Sequence, residues 1–163
     1  MSTKERSTRR GLIRKGLLGG LVLILAGATY GIYLYNMPKR DVQATSTDAR
    51  IEAGALAQEF LDNTQTANAK YLDAEGESKV LEVSGTVKSL DTDLSGQNVV
   101  LLESGDAPAG VRCTFLASTN AQAAGLNVGD AVTIKGVIRA GAAFDPDLEL
   151  YEHVVLEKCA LIP

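Results

Sequence analysis

The 163-residue sequence predicts a mainly β domain, a small five-stranded barrel, behind an N-terminal transmembrane helix. Two observations predict the barrel: apolar residues take a period of two from Lys79 onward, and strand-like segments then recur between turns rich in Gly, Asp, Ser and Pro. A third observation predicts the transmembrane helix, because residues 16–35 contain no charged side chain. With 45% hydrophobic residues the chain is not of the disordered class, and the part after residue 40 has the length of one small domain.

Charge divides the chain at residue 40. The first forty residues carry 8 Lys/Arg and one Glu, whereas the rest carries 8 Lys/Arg and 19 Asp/Glu, a net charge of −11. As a helix, residues 16–35 would span about 30 Å of hydrocarbon, and the basic residues before them favour a cytoplasmic N-terminus. We therefore expect a single-pass membrane protein of the bacterial envelope. Its parts would be a basic cytoplasmic segment (1–15), a membrane anchor (16–35), a linker (36–47) and a periplasmic domain (48–163).

The anchor region leaves other interpretations open. Ala26-Gly27-Ala28 fits a signal-peptide cleavage site, so the segment could be removed after Ala28. Arg9-Arg10 fits a twin-arginine export signal as well as an ordinary basic flank. Two pairs of glycines four residues apart would let two helices approach closely, which raises the alternative of a homo-dimer.

The exported part is predicted to begin with one helix and to continue with five strands. Apolar side chains between Ala49 and Tyr71 recur at helical spacing, which indicates a continuous or broken helix over 48–71. A short helix is expected over 118–126, between the third and fourth strands. Five strands with a helix in that position, and a glycine inside the first and fourth strands to permit sharp bends, are the order of an OB-fold barrel. The strand segments are 79–88, 98–103, 110–116, 131–140 and 152–162.

Several segments carry a family resemblance. They are ANAKY (67–71), VLEVSGTV (80–87), GVRCTF (110–115), LNVGDAVTIKG (126–136) and VLEKCAL (155–161). In these segments the chain resembles the tRNA_anti-like group of membrane-anchored or lipoprotein OB-fold proteins, over most of its length beyond residue 30. The resemblance implies the OB-fold but no established activity. Residues 140–151 depart from it, since they form a longer connection than is usual between the last two strands.

Cys113 and Cys159 are the two cysteines, and they fall in the third and fifth predicted strands, which are neighbours in an OB barrel. Export to an oxidising compartment favours a disulfide between them, which would close a 46-residue loop and stabilise the fold by roughly 4 kcal/mol. The alternative is two buried thiols that act as small core residues.

The barrel face and the long connection 140–151 are the predicted ligand-binding surface, with Phe144 and Tyr151 as exposed anchors, because long loops on rigid scaffolds often recognise ligands. The alternative is that both rings close the core of the barrel.

The sequence offers no catalytic group, metal site or cofactor motif. His153 is the sole histidine, and the calcium-like pattern that starts at Asp91 has Leu102 where a bidentate Glu is required, so it reads as a hairpin turn. The charge of −11, the absence of Trp and the few aromatic residues argue against nucleic acid. We therefore expect a membrane-anchored module that binds a partner protein or an envelope component without catalysis. The alternatives are an envelope enzyme or redox or assembly factor, and a structural oligomerising module.

Overall fold

A computed structural model describes residues 20, 24–33, 35, 41–74 and 76–163. The chain divides after Arg40 into two compact units. In the first unit the described residues are helical, but no helix among the residues described is both long and apolar enough to cross a membrane. The predicted single-pass localisation, with membrane contact through residues 16–35, is therefore wrong. The basic segment 1–15 and residues 16–19, 21–23 and 34 of the predicted anchor lie outside the described residues.

The second unit, residues 41–163, contains eight strands and three helices within its described part. The strands are β1 (Ala49–Glu52), β2 (Val80–Thr92), β3 (Asn98–Glu103), β4 (Val111–Phe115), β5 (Ala131–Ala140), β6 (Ala143–Asp145), β7 (Leu150–Glu152) and β8 (Val154–Ile162). The helices are α1 (Ala53–Asp62), α2 (Thr64–Tyr71) and α3 (Asn120–Ala123).

The main sheet closes into the predicted OB-fold barrel. Its strand order is β1-β2-β3-β4-β8-β5, and a further pairing of β2 with β5 closes it. β4 and β8 run parallel, whereas β2–β3, β3–β4, β5–β8 and β2–β5 are antiparallel. The short α3 lies between the third and fourth barrel strands. The five strands predicted from sequence therefore occupy the places that an OB-fold requires.

The two glycines inside strands lie where another strand approaches closely. A Cβ on Gly85 would lie 2.9 Å from the Glu103 carbonyl oxygen, and one on Gly136 would lie 2.7 Å from the Cys159 sulfur. The register between β5 and β8 also shifts next to Gly136, between Lys135 and Val137. A side chain at either position would obstruct this close approach of the neighbouring strand.

The predicted helix over 48–71 is broken into three elements. Residues 49–52 instead form β1, which pairs in parallel with β2. α1 buries Leu56 and Phe60 against the barrel and ends at Asn63, whose side chain accepts a hydrogen bond from the Thr66 N–H at 3.0 Å and so caps α2.

The described part of the predicted linker, residues 41–47, packs against the barrel. Val42 is 1% exposed and lies in a small cluster with Val80 and Val137. The buried Lys135 donates from Nζ to the carbonyl oxygens of Gln43 (3.1 Å) and Thr45 (2.6 Å). These bonds satisfy an ammonium group that would otherwise be costly to bury.

Candidate functional site

The connection between β5 and β8 folds into a β-hairpin. β6 and β7 pair with Phe144 opposite Tyr151, and the two ring centroids lie 4.9 Å apart at an interplanar angle of 52°. The Asp145 side chain forms the turn, since its Oδ1 accepts hydrogen bonds from the N–H groups of Asp147 (2.9 Å) and Leu148 (3.1 Å). A cross-strand aromatic pair and an Asp-Pro-Asp turn thus hold this hairpin together.

The apolar side chains of the hairpin face solvent. Phe144 is 50% exposed, Leu148 67%, Leu150 45% and Tyr151 41%. The rings therefore do not close the core, which was the alternative interpretation. Ala142 and the α1 residue Phe60 are buried in the core instead. A group of four exposed large apolar residues on one short hairpin is a feature that marks interaction surfaces.

A cleft of about 520 Å³ lies beside this hairpin, where the barrel wall meets it. Its lining residues come from β4, the end of β5, the hairpin and the start of β8: Arg112, Ala140, Gly141, Leu150, Tyr151, Glu152, His153 and Val155. His153 is held in place because its Nδ1 accepts a hydrogen bond from the Gly110 N–H at 3.0 Å. The cleft therefore combines an apolar wall with a guanidinium and an oriented imidazole.

Arg112 differs from the other basic residues of this unit. Five of them form ion pairs with carboxylates, at N···O distances from 2.5 to 3.8 Å: Arg50, Lys70, Lys79, Lys88 and Arg139. Lys135 is bound by carbonyls, and Lys158 also has an interaction partner. Within the described part of the chain, the Arg112 side chain has neither a hydrogen bond nor an ion pair. Sequence reasoning missed this residue, because it recognised Arg112 only as one position of a strand.

A second cleft, of about 800 Å³, was also missed from the sequence. It lies where β1, β2, β5 and β8 adjoin, and a row of paired residues crosses those strands: Glu52, Ser84, Thr133 and Ile162. Two of its polar groups are already used within the fold, because Ser104 Oγ accepts from the Gly54 N–H and Gln122 Oε1 accepts from the Leu161 N–H. This cleft therefore offers fewer free groups to a ligand than its size indicates.

Cys113 and Cys159 are neighbours in the barrel core, as the strand order required. Both are fully buried free thiols. Burial, together with a hydrogen bond to the Cys113 thiol, raises the pKa of Cys159 well above its ordinary value. The disulfide between them stays a prediction.

No cluster of three or more His, Cys, Asp or Glu side chains suited to a metal ion occurs among the described residues. The segment that begins at Asp91 forms the predicted hairpin turn, in which Asp93 Oδ1 accepts from the N–H groups of Ser95 and Gln97.

Known proteins similar to this chain have the same fold. A profile of the family described as tRNA_anti-like matches residues 13–146. Among solved structures, a putative nucleic acid-binding lipoprotein from Klebsiella pneumoniae superposes with a TM-score of 0.52 at 17% identity, over 77% of this chain and all of the other. No curated protein shows significant sequence similarity to the chain.

The prediction that excluded nucleic acid as a partner is contradicted by this structural relative, whose name states that activity. The exclusion rested on the charge and aromatic content of the whole domain. Such totals do not describe a local site: Arg112, which has no partner among the described residues, and the exposed Tyr151 line the same cleft.

Proposed function

Because the chain belongs to the tRNA_anti-like family and has an OB-fold barrel, we propose that it is a binding module that acts without catalysis. Its ligand would be a segment of a partner protein, held by the β6–β7 hairpin and the cleft beside it. The observation that carries this proposal is the exposure of Phe144, Leu148, Leu150 and Tyr151, which the core of the domain does not need.

The charge of the hairpin indicates what kind of segment would bind. Between Ala143 and Glu152 the hairpin carries Asp145, Asp147, Glu149 and Glu152 and no Lys or Arg. Apolar and acidic side chains are interspersed on it. A partner segment that alternates apolar residues with Lys or Arg would cover the apolar side chains of the hairpin and form ion pairs with its carboxylates.

A second candidate ligand is a short single-stranded oligonucleotide. Two observations favour it: Arg112 and Tyr151 line one cleft, and the structural relative is named as a putative nucleic acid-binding protein. Arginine would contact phosphate while the ring stacks on a base. The four carboxylates of the hairpin would repel phosphates, so the protein segment is the first candidate.

Site-specific photo-crosslinking in cells that express the full chain tests the proposal. Leu148 and Val128 are both 67% exposed, so Val128 provides a control of equal accessibility away from the hairpin. We expect a discrete protein adduct from position 148 and none from position 128, with the crosslinked peptide rich in Lys or Arg and apolar residues. Charge reversal by Asp147→Lys and Glu152→Lys should abolish the adduct, whereas Asp106→Lys in another loop should not.

Equal adducts from both positions would contradict the proposed surface. A nuclease-sensitive adduct at position 148 would favour the oligonucleotide instead. A crosslink to a second copy of the chain would replace partner binding by self-association.

A further inference from the structure

We infer that Arg112 is a carboxylate-binding residue, and that the cleft beside the hairpin receives a carboxylate of the bound partner segment. This inference rests on the proposed function and deepens it, because it specifies what the partner must present next to its basic and apolar residues.

Among the residues that the structure describes, Arg112 has no partner although acidic residues are abundant. The chain from Asp41 onward contains 19 Asp and Glu against 8 Lys and Arg, and the other described basic residues of that part all have partners. The cross-strand neighbours of Arg112 are instead apolar, namely Leu101 on β3 and Val155 on β8. An arginine on the barrel face between two apolar neighbours therefore remains open to an external anion.

The walls of the cleft would strengthen an ion pair formed there. Leu150, Tyr151 and Val155 line it together with Arg112, so a bound ligand would displace water from around the guanidinium. Ion pairs gain strength as water is excluded, and the planar guanidinium fork matches a carboxylate through two parallel hydrogen bonds. His153 lines the same cleft, and because its Nδ1 is occupied by the Gly110 N–H, Nε2–H is its remaining donor.

The local charge favours a carboxylate over a phosphate monoester. Glu152 lines the cleft, and three further carboxylates lie on the adjoining hairpin. A ligand group with a single negative charge is repelled less by them than a phosphate monoester, which carries close to two charges at neutral pH. A peptide can supply that carboxylate from an acidic side chain or from its C-terminus, and both are the same chemical group for Arg112.

Titration of the ¹⁵N-labelled full chain with three small probes, followed by NMR, tests this inference. The probes are N-acetyl-phenylalanine, its neutral amide and phenyl phosphate, which share an aromatic ring and differ in charge. We expect N-acetyl-phenylalanine to shift the amide resonances of Gly110, Gly141 and His153. The amide should bind at least about tenfold more weakly, because a lost charge-assisted hydrogen bond is worth about a factor of ten or more. Phenyl phosphate should also bind more weakly, because the carboxylates of the hairpin repel its second negative charge.

Matched variants assign the effect to Arg112. Arg112→Gln should abolish the shifts, and Arg112→Lys, which keeps the charge but not the fork, should weaken them. Arg139→Gln serves as the control, since Arg139 pairs with Glu157 at 3.1 Å outside the cleft. Equal binding of the amide, tighter binding of phenyl phosphate, or binding that survives Arg112→Gln in a folded protein would each overturn the inference.

The two proposals fail separately. Carboxylate binding at Arg112 with no adduct at position 148 would refute the partner segment and leave the subsite. An adduct at position 148 with no carboxylate binding would refute the subsite and leave the hairpin surface.

Discussion

Replacing Gly141 by alanine should destabilise the domain, because Gly141 lies against a ring of the core at the start of the hairpin. A Cβ at this position would lie 2.0 Å from Phe60 Cδ1, 2.3 Å from Cε1 and 2.7 Å from Cγ. Phe60 is fully buried and also packs against Tyr71, with ring centroids 5.7 Å apart, so it cannot turn out to solvent. Inserting a methyl group into a packed core costs about 1–3 kcal/mol, and three contacts of this kind place Gly141→Ala at about 3 kcal/mol.

Urea denaturation of the full chain, followed by circular dichroism, measures this cost. The matched control is Gly125→Ala, whose Cβ would meet only the Gln122 carbonyl oxygen at 3.9 Å, so its effect should stay within about 0.5 kcal/mol. Phe60→Leu in the Gly141→Ala background should recover at least about 1 kcal/mol relative to the sum of the single changes. Gly141→Ala and Gly125→Ala with equal denaturation midpoints, or additive effects in the double variant, would refute the contact.

Three further predictions concern other parts of the domain. Lys135→Met should lower the free energy of unfolding by about 2–3 kcal/mol, because two carbonyls lose a charged donor. Lys88→Met, at an exposed ion pair with Glu103, should change it by less than about 1 kcal/mol. Similar losses for both variants in urea denaturation would contradict this prediction. The hydrogen bond from Lys70 lowers the pKa of Glu59 below its ordinary 4.5. The ionised Glu59 therefore stabilises the fold above pH 4.5, and this stabilisation is lost as the pH falls through the lowered pKa. Glu59→Gln should therefore weaken the acid dependence of stability, and an unchanged pH profile of unfolding would count against the pair. Both cysteines should resist alkylation by iodoacetamide in the native state, since they are buried and the pKa of Cys159 is raised. Alkylation after unfolding without reductant then tests the disulfide. Two alkylated thiols would disprove it, and no alkylated thiol would establish it.

The barrel could be predicted because each of its strands carries its own signal. The period-two pattern around Val83 and Val87 reflects burial of one face, and that burial is what the barrel core requires. The bends at the two strand glycines could be predicted from their places within the strand patterns. The adjacency of the two cysteines followed from the order of the strands. These features depend on local pattern and topology, which a sequence expresses directly.

The features that sequence reasoning missed depend on tertiary contacts. Residues 49–52 continue the helical spacing of the following segment, and only their pairing with β2 makes them a strand. β6 and β7 have three residues each, too few to show a period. The isolation of Arg112 is decided by residues from β3 and β8.

The packing of residues 41–47 on the barrel has a consequence for proteolysis. Gln43 Nε2 donates to the Lys158 carbonyl across 115 positions of sequence, and Lys135 reaches back to Gln43 and Thr45 across 92 and 90. The Lys135 bonds require β5, and the Gln43 bond to Lys158 also requires the last strand, β8. A chain whose final strand is missing or unpaired would therefore hold residues 41–47 less tightly, and proteases would cleave incomplete copies there more readily than finished ones.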